Sequence, residues 1–161
     1  MLTRAEFEAA QARAASTIRA SGIHISDEDA ERIEVADFGL SRLDVEGAQI
    51  LTLVTTDRIA VKLVALFANQ TLPEHWHPPM GEDPGKEETF RCRWGKFYLY
   101  VPGEKSAERK AQPPQRRADR YSIWHEIELN PGDQYTLPPN TKHWFQAGDE
   151  GAVISEFSTR S

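Results

Sequence analysis

The chain has 161 residues, a length that fits one domain and buries a substantial core without a disulfide or a partner. Its 19 Lys and Arg against 25 Asp and Glu give a formal net charge of −6, which disfavours binding to nucleic acid or to anionic lipid. With 39% hydrophobic and 27% charged residues, the composition is that of a globular protein rather than a disordered or fibrous one. We therefore expect a soluble domain with no nucleic-acid or membrane partner.

Two further features predict a cytoplasmic location. The single cysteine, Cys92, excludes an internal disulfide, which suits a reducing compartment. The N-terminus lacks the apolar segment of a signal peptide, and the longest purely apolar run, Leu63 to Ala68, is far shorter than the about 20 residues of a membrane span.

The first 47 residues carry helical signals. Thr3 followed by Glu6 forms a capping-box pattern, and apolar residues then recur every three or four positions. A second cap, Ser26 with Asp29, predicts a shorter helix that ends before Gly39. We expect residues 1–47 to form a helical appendage packed on the rest of the domain.

From about residue 48 the apolar period changes to two, which is typical of half-buried strands. Turn-forming dipeptides rich in proline and glycine, such as Pro102-Gly103 and Pro131-Gly132, separate these runs. The pattern predicts a mostly β protein, with residues 48–161 forming a small barrel or jelly roll and one domain overall.

Residues 104–120, which we call the basic segment, interrupt the strand pattern. The segment contains six Lys or Arg residues, two adjacent prolines and hardly an apolar side chain. Its first interpretation is a solvated connection between strands, because long polar loops lie on surfaces. The alternative is a rim that attracts an anionic substrate.

Candidate metal ligands begin with His75 and His77. Side chains two apart on a strand share a face, so the two imidazoles lie side by side, as a divalent transition metal requires. Further along, Glu88 alternates with the apolar Phe90 and Cys92, whereas Glu87 belongs to a uniformly polar face. We therefore expect Glu88 to point inward and Glu87 to be exposed.

A buried carboxylate needs a cation, and a metal bound by His75 and His77 would supply one to Glu88. The alternative is that Lys86, which shares the face of Glu88, neutralises it alone. Alternation also places Trp94 on this inward face, and an aromatic wall beside a ligand is possible for Trp94 or Phe90.

The spacing of a third imidazole, His143, resembles the second motif of the cupin superfamily, G-x5-P-x-G-x2-H-x3-N, since Gly132 and Pro138 precede it at the expected intervals. The pair His75 and His77 with Glu88 resembles the first motif, G-x5-H-x-H followed by E-x6-G. Asn69 and Asn140 stand at two of the motif glycines, and Asn tolerates left-handed backbone better than other non-glycine residues.

Longer segments are similar to the bacterial D-lyxose ketol-isomerases of that superfamily: 73–79, 85–96, 138–148, 124–129 and 36–40. The resemblance implies a single cupin domain, a double-stranded β-helix or jelly-roll barrel, carrying two N-terminal helices. It also implies a homodimer, and an acidic segment after the last strand that either is absent or lies beyond Ser161.

The resemblance implies the functional residues as well. The metal ligands would be His75, His77, Glu88 and His143, and the acid–base groups Lys86 and Glu156. The cofactor would be a divalent metal ion, which we expect to be Mn²⁺, with Zn²⁺, Co²⁺ and Fe²⁺ as alternatives.

The activity implied is interconversion of D-lyxose and D-xylulose, and also of D-mannose and D-fructose, through an enediol, on a small unphosphorylated sugar. Two alternatives stay open: a metal-dependent cupin dioxygenase and a non-catalytic sugar-binding cupin. Alternation alone leaves the side of Glu156 open, and His24 and His125, which lack ligand spacing, are expected to be structural or solvated.

Overall fold

One antiparallel sheet of eight strands is the framework of the protein, described here for residues 1–160 of a computed structural model. The hydrogen-bonded order is β1-β2-β3-β8-β5-β6, while β4 pairs with β8 and β7 pairs with β5. The prediction of a mostly β fold is confirmed. The strands are β1 (Glu34–Ala36), β2 (Ala48–Thr55), β3 (Ile59–Leu66), β4 (Thr71–His75), β5 (Glu88–Val101), β6 (His125–Leu129), β7 (Gln134–Leu137) and β8 (His143–Thr159).

Both predicted capping boxes form, at the start of α1 (Arg4–Ala20) and of α2 (Asp27–Glu31). The second helix ends before Gly39, as predicted, and strand β1 begins at Glu34 and pairs with β2. A 3₁₀ helix, Gln115–Arg120, lies in the basic segment. Over residues 1–160, no helix is long and apolar enough to cross a membrane. The domain boundary at residue 47 stays a prediction.

The buried apolar side chains form two main clusters on opposite faces of the sheet. The inner cluster includes Phe90, Phe97 and Phe145, whose rings meet edge to face. The outer cluster joins Ile18 of α1 to Leu63 and other side chains of β2 and β3, so the N-terminal helix covers the sheet. Cys92 is fully buried, as expected of a small hydrophobe, and burial raises the pKa of its thiol to about 11.

Two irregularities in β5 break the predicted alternation. The register with β8 shifts between Cys92 and Trp94 and again between Gly95 and Phe97. As a result Trp94 packs against the outer cluster, whereas Cys92 and Phe97 belong to the inner one. The expectation that Trp94 shares the inward face with Glu88 is therefore wrong, because a bulge inserts a residue that strict alternation does not count.

Gly95 is expected to be the most sensitive glycine of the sheet. Its φ of +71° is left-handed, and a Cβ there would collide with the backbone carbonyl of Gly151 on β8. We expect Gly95→Ala to lower the free energy of unfolding by about 3 kcal/mol, through backbone strain and overpacking.

Gly132→Ala is the matched control, because Gly132 also has a positive φ, of +95°, but open space where the Cβ would lie. Chemical denaturation of both variants measures the difference. Equal losses in the two variants would show that the contact with Gly151 contributes nothing.

Candidate functional site

The three imidazoles singled out by the sequence lie together at one end of the sheet. His75 ends β4 and His143 begins β8, and the two residues are direct cross-strand partners. Their ring centroids are 4.3 Å apart, and the His77 ring lies 5.2 Å from that of His75. The strand pairing thus joins residues that are 68 positions apart in the sequence, by the difference of their numbers.

Glu88, the first residue of β5, faces these imidazoles. Its Oε2 lies 3.4 Å from Nε2 of His143, and its Oε1 lies 3.7 Å from Nε2 of His77. Glu88 is buried and Glu87 is exposed, as the alternation of this segment predicted. The carboxylate and the imidazole nitrogens therefore form one group.

The protonation of the histidines suits metal binding. Nδ1 of His75 lies 2.8 Å from the Pro73 carbonyl, and Nδ1 of His143 lies 3.0 Å from the Thr141 carbonyl. Each Nδ1–H can donate to its carbonyl, which leaves the lone pair of Nε2 free to bind a metal. Burial, with a smaller contribution from His75, lowers the pKa of His143 to about 3, and burial also lowers the pKa of His77. Both rings are neutral at pH 7, the form that ligates metals.

Nε2 of His143 is the observation that tests whether a metal fits. This atom is buried and has no hydrogen-bond partner among residues 1–160. As the side chains stand, no three His, Cys, Asp or Glu residues in that range close into a complete metal-binding set. The orphaned nitrogen, the two neighbouring imidazoles and the facing carboxylate nevertheless supply the donor types that a divalent transition metal takes.

Lys86 lies between two buried carboxylates. Its Nζ is 3.2 Å from Oε1 of Glu88 and 3.3 Å from Oε2 of Glu156. Burial alone would lower the pKa of Lys86, but the charges of Glu156 and Glu88 outweigh burial and raise that pKa. The ammonium therefore stays charged. The sequence left the side of Glu156 open, and the structure places its side chain inward beside Lys86.

The group opens into a cavity of about 380 Å³, within the range of small-ligand pockets. Lys86, Glu88 and Glu156 line it together with His75 and His77. No local pattern in the sequence pointed to five other lining residues, which reach the cavity from four different segments: Phe38, Leu40, Lys62, Glu74 and Arg117.

No protein-family model matches the chain. Among curated proteins, it is 54% identical over 156 residues to the D-lyxose ketol-isomerase of Cohnella laeviribosi, covering 97% of this chain and 86% of that protein. It is 52% identical over 161 residues to the D-lyxose/D-mannose isomerase of Thermosediminibacter oceani, covering 100% and 89%. The chain belongs to the D-lyxose ketol-isomerase family. The predicted resemblance and the enzyme class, sugar isomerase, are thereby confirmed.

Solved structures show that this fold is shared more widely. The family member described here superposes on a variant of the L-ribose isomerase of Acinetobacter sp. DL28 in complex with L-ribose, with a TM-score of 0.81 and 17% identity. The L-ribose isomerase of Cellulomonas parahominis with L-ribose gives 0.80 and 17%. The alignments cover 99% of this chain and 82% and 84% of those chains. These solved structures therefore share the mostly β fold of this chain.

In this D-lyxose ketol-isomerase family member, the basic segment is only partly a solvated connection. Arg116 and Arg120 are exposed as that interpretation expects, but Arg117 turns into the cavity wall. Glu74, beside His75, holds the chain just after the basic segment. Its carboxylate accepts hydrogen bonds from the backbone N–H and the hydroxyl of Ser122, at 2.8 and 2.7 Å.

The remaining candidates lie away from the cavity. His24 is exposed, and Nδ1 of His125 contacts the Glu104 carbonyl at 2.9 Å. Neither Trp94 nor Phe90 lines the cavity, so neither forms the aromatic wall considered from the sequence; Phe38 contributes the aromatic side chain instead.

Proposed function

We propose that the protein is a metal-dependent aldose–ketose isomerase that interconverts D-lyxose and D-xylulose, and also D-mannose and D-fructose. One observation carries the proposal: the Lys86 ammonium is held between the buried carboxylates of Glu88 and Glu156, beside three imidazoles at a ligand-sized cavity. The names of the relatives, D-lyxose ketol-isomerase and D-lyxose/D-mannose isomerase, support the choice of sugars.

The residues that would hold the metal are His75, His77, Glu88 and His143. Mixed nitrogen and oxygen donors suit Mn²⁺, Fe²⁺, Co²⁺ or Zn²⁺, and we propose Mn²⁺ as the working ion. When bound, the metal would chelate adjacent sugar oxygens and stabilise the negative charge that develops on them.

Glu156 and Lys86 would carry out the proton transfers. The Glu156 carboxylate removes the proton from C2 of the aldose and returns it to C1, so the hydrogen moves between carbons without net oxidation. Glu88 is committed to the metal, which leaves Glu156 as the free carboxylate. The Lys86 ammonium donates a hydrogen bond to a sugar oxygen and supplies the proton that O1 and O2 exchange.

The activity is tested by incubating the protein with Mn²⁺ and D-lyxose under anaerobic conditions. We expect D-xylulose to accumulate, because isomerisation is redox-neutral. A cupin dioxygenase would need oxygen, and a sugar-binding cupin would bind the pentose without converting it. Absence of ketose with metal bound would overturn the proposal for this sugar.

The proposed ligand set is tested by replacing His143 with glutamine. The change removes the buried Nε2 that faces Glu88, and we expect metal affinity to fall at least about 100-fold, more than is typical for the loss of a residue that only supports a ligand. Equilibrium dialysis with Mn²⁺ measures the affinity.

His125→Gln is the matched control, since His125 lies on β6 and does not line the cavity. Metal affinity that is equal in the two variants would remove His143 from the ligand set.

We also propose that the protein acts on an unphosphorylated sugar and is cytoplasmic, which its single cysteine supports. We propose in addition that it forms a homodimer, as the family resemblance implies. Exposed apolar side chains on adjoining strands support an interface: Val54 and Phe157 both flank Val61, and each is more than two-fifths exposed.

A further inference from the structure

We propose that Arg117 determines substrate specificity by donating hydrogen bonds to the hydroxyl groups at the end of the sugar remote from C1 and C2. The inference rests on the proposed isomerase function and names the part of the site that selects a neutral sugar. It also assigns a role to the basic segment.

The local backbone explains how Arg117 reaches the cavity. The 3₁₀ helix Gln115–Arg120 is interrupted at Arg117, whose φ of −126° and ψ of 19° are not helical. The kink separates Arg117 from its exposed neighbour Arg116, so the two adjacent arginines face different surroundings. Of these two arginines, only Arg117 lines the cavity, together with Lys86 and Glu156.

A buried carboxylate anchors the guanidinium. Glu46 is 2% exposed, and Nε of Arg117 lies 2.9 Å from its Oε1 and 3.2 Å from its Oε2. The hydroxyl of Tyr121 donates a second hydrogen bond to Glu46, at 2.8 Å. Burial, reinforced by Glu46, raises the pKa of Tyr121, so its hydroxyl keeps the proton that it donates.

The need to neutralise Glu46 would by itself explain an arginine at position 117, but this ion pair uses only Nε of the guanidinium. Within residues 1–160, the terminal nitrogens of Arg117 donate to no other group, and about a third of the side chain is exposed. A guanidinium carries five N–H donors in a fixed plane. The anchor at Nε therefore orients the remaining donors, and the cavity is where they find acceptors.

The position of Glu46 fixes which end of the cavity Arg117 occupies. The backbone of Glu46 forms an isolated β-bridge with Thr71 at the start of β4, whereas His75 ends the same strand. Four residues of strand span about 13 Å. A sugar whose C1 and C2 lie beside the imidazoles and Lys86 therefore extends its remaining hydroxyl groups towards Arg117.

The pairing also determines the charge that Arg117 presents. Glu46 cancels the positive charge of the guanidinium, so a phosphorylated sugar would gain little from it, while a neutral hydroxyl accepts a hydrogen bond from it. This favours the unphosphorylated substrate and disfavours the alternative in which the basic segment attracts an anion.

The test compares Arg117→Gln with the matched control Arg116→Gln. Binding of a pentitol, the alditol of the pentose, is measured by calorimetry on the Mn²⁺-loaded protein, and KM and kcat are measured with D-lyxose. We expect Arg117→Gln to weaken pentitol binding and raise KM at least about tenfold with little change in kcat, the effect of losing a hydrogen bond from a charged donor. Arg116→Gln should match the wild type.

Arg117→Gln leaves Glu46 unpaired and could unfold the chain, so the double variant Glu46→Gln/Arg117→Gln removes both charges while keeping the packing. We expect the same loss of binding in the double variant. Wild-type pentitol affinity in a folded double variant, an equal loss in Arg116→Gln, or no pentitol binding by the wild type would overturn the proposal. A wild type that binds pentitol without isomerising D-lyxose would refute the proposed function alone.

Discussion

Replacing Glu156 with glutamine is expected to abolish the isomerisation of D-lyxose while leaving the metal bound. Glutamine keeps the size of the side chain and a hydrogen-bond acceptor for Lys86, whose Nζ lies 3.3 Å from Oε2 of Glu156. It cannot accept the C2 proton. Loss of a positioned general base costs typically 10²–10⁴-fold in rate, so we expect kcat to fall by about 1,000-fold or more.

The matched control is Glu150→Gln, the same chemical change at an exposed position on the same strand, β8. Metal content and thermal unfolding of both variants establish that the site is intact. Turnover of Glu156→Gln close to that of Glu150→Gln would remove Glu156 from the mechanism.

Replacing Lys86 with methionine is expected to cause a loss of similar size. Methionine fills about the same volume but lacks the ammonium that lies 3.2 Å from Glu88 and 3.3 Å from Glu156. Without that ammonium no charged donor remains at the point between the two carboxylates, and the proton exchange between O1 and O2 loses its donor. We expect kcat to fall by about 100-fold or more.

Two carboxylates are also left facing each other in the metal-free Lys86→Met protein, so its stability should fall and Mn²⁺ should restore it. Lys96→Met, at an exposed position of β5, is the control for lost charge. If Lys86→Met turns over D-lyxose as fast as Lys96→Met, Lys86 has no part in the proton transfers.

The inward position of Glu88 was predictable because period-two alternation is a local property of the strand. The imidazoles of His75 and His77 lie together as predicted, although β4 ends at His75 and His77 follows it. Glu88 and Phe90 are buried while Glu87 is exposed, as that alternation requires. The same local rule put Trp94 on the wrong face, because it does not account for a bulge. The bulge after Cys92 depends on how β5 pairs with β8, and nothing within the segment itself specifies that pairing.

The orientation of Glu156 could not be predicted, because the part of the strand just before it is buried on both faces. Val153, Ile154 and Ser155 are each no more than 2% exposed, so no wet face marks the outside. Strand β1 was not predicted, because its partner, strand β2, lies beyond the segment that carries the helical signal.

Arg117 illustrates the limit for the cavity. Nothing distinguishes it from Arg116 in the sequence, and its partner Glu46 is 71 residues away. Only the folding of the basic segment back onto the start of β2 brings the two charges together. Residues that line a cavity from such distant segments have no spacing signal.

Metal titration of the stripped protein tests the central claim most directly. Metal is removed by a chelator, Mn²⁺ is added back in steps, and bound metal and D-xylulose formation are measured on the same samples without oxygen. We predict no ketose from the stripped protein and a rate that rises in proportion to bound Mn²⁺ until every chain carries its ion. Full activity in the stripped protein, or no ketose from the fully loaded protein, would contradict the account.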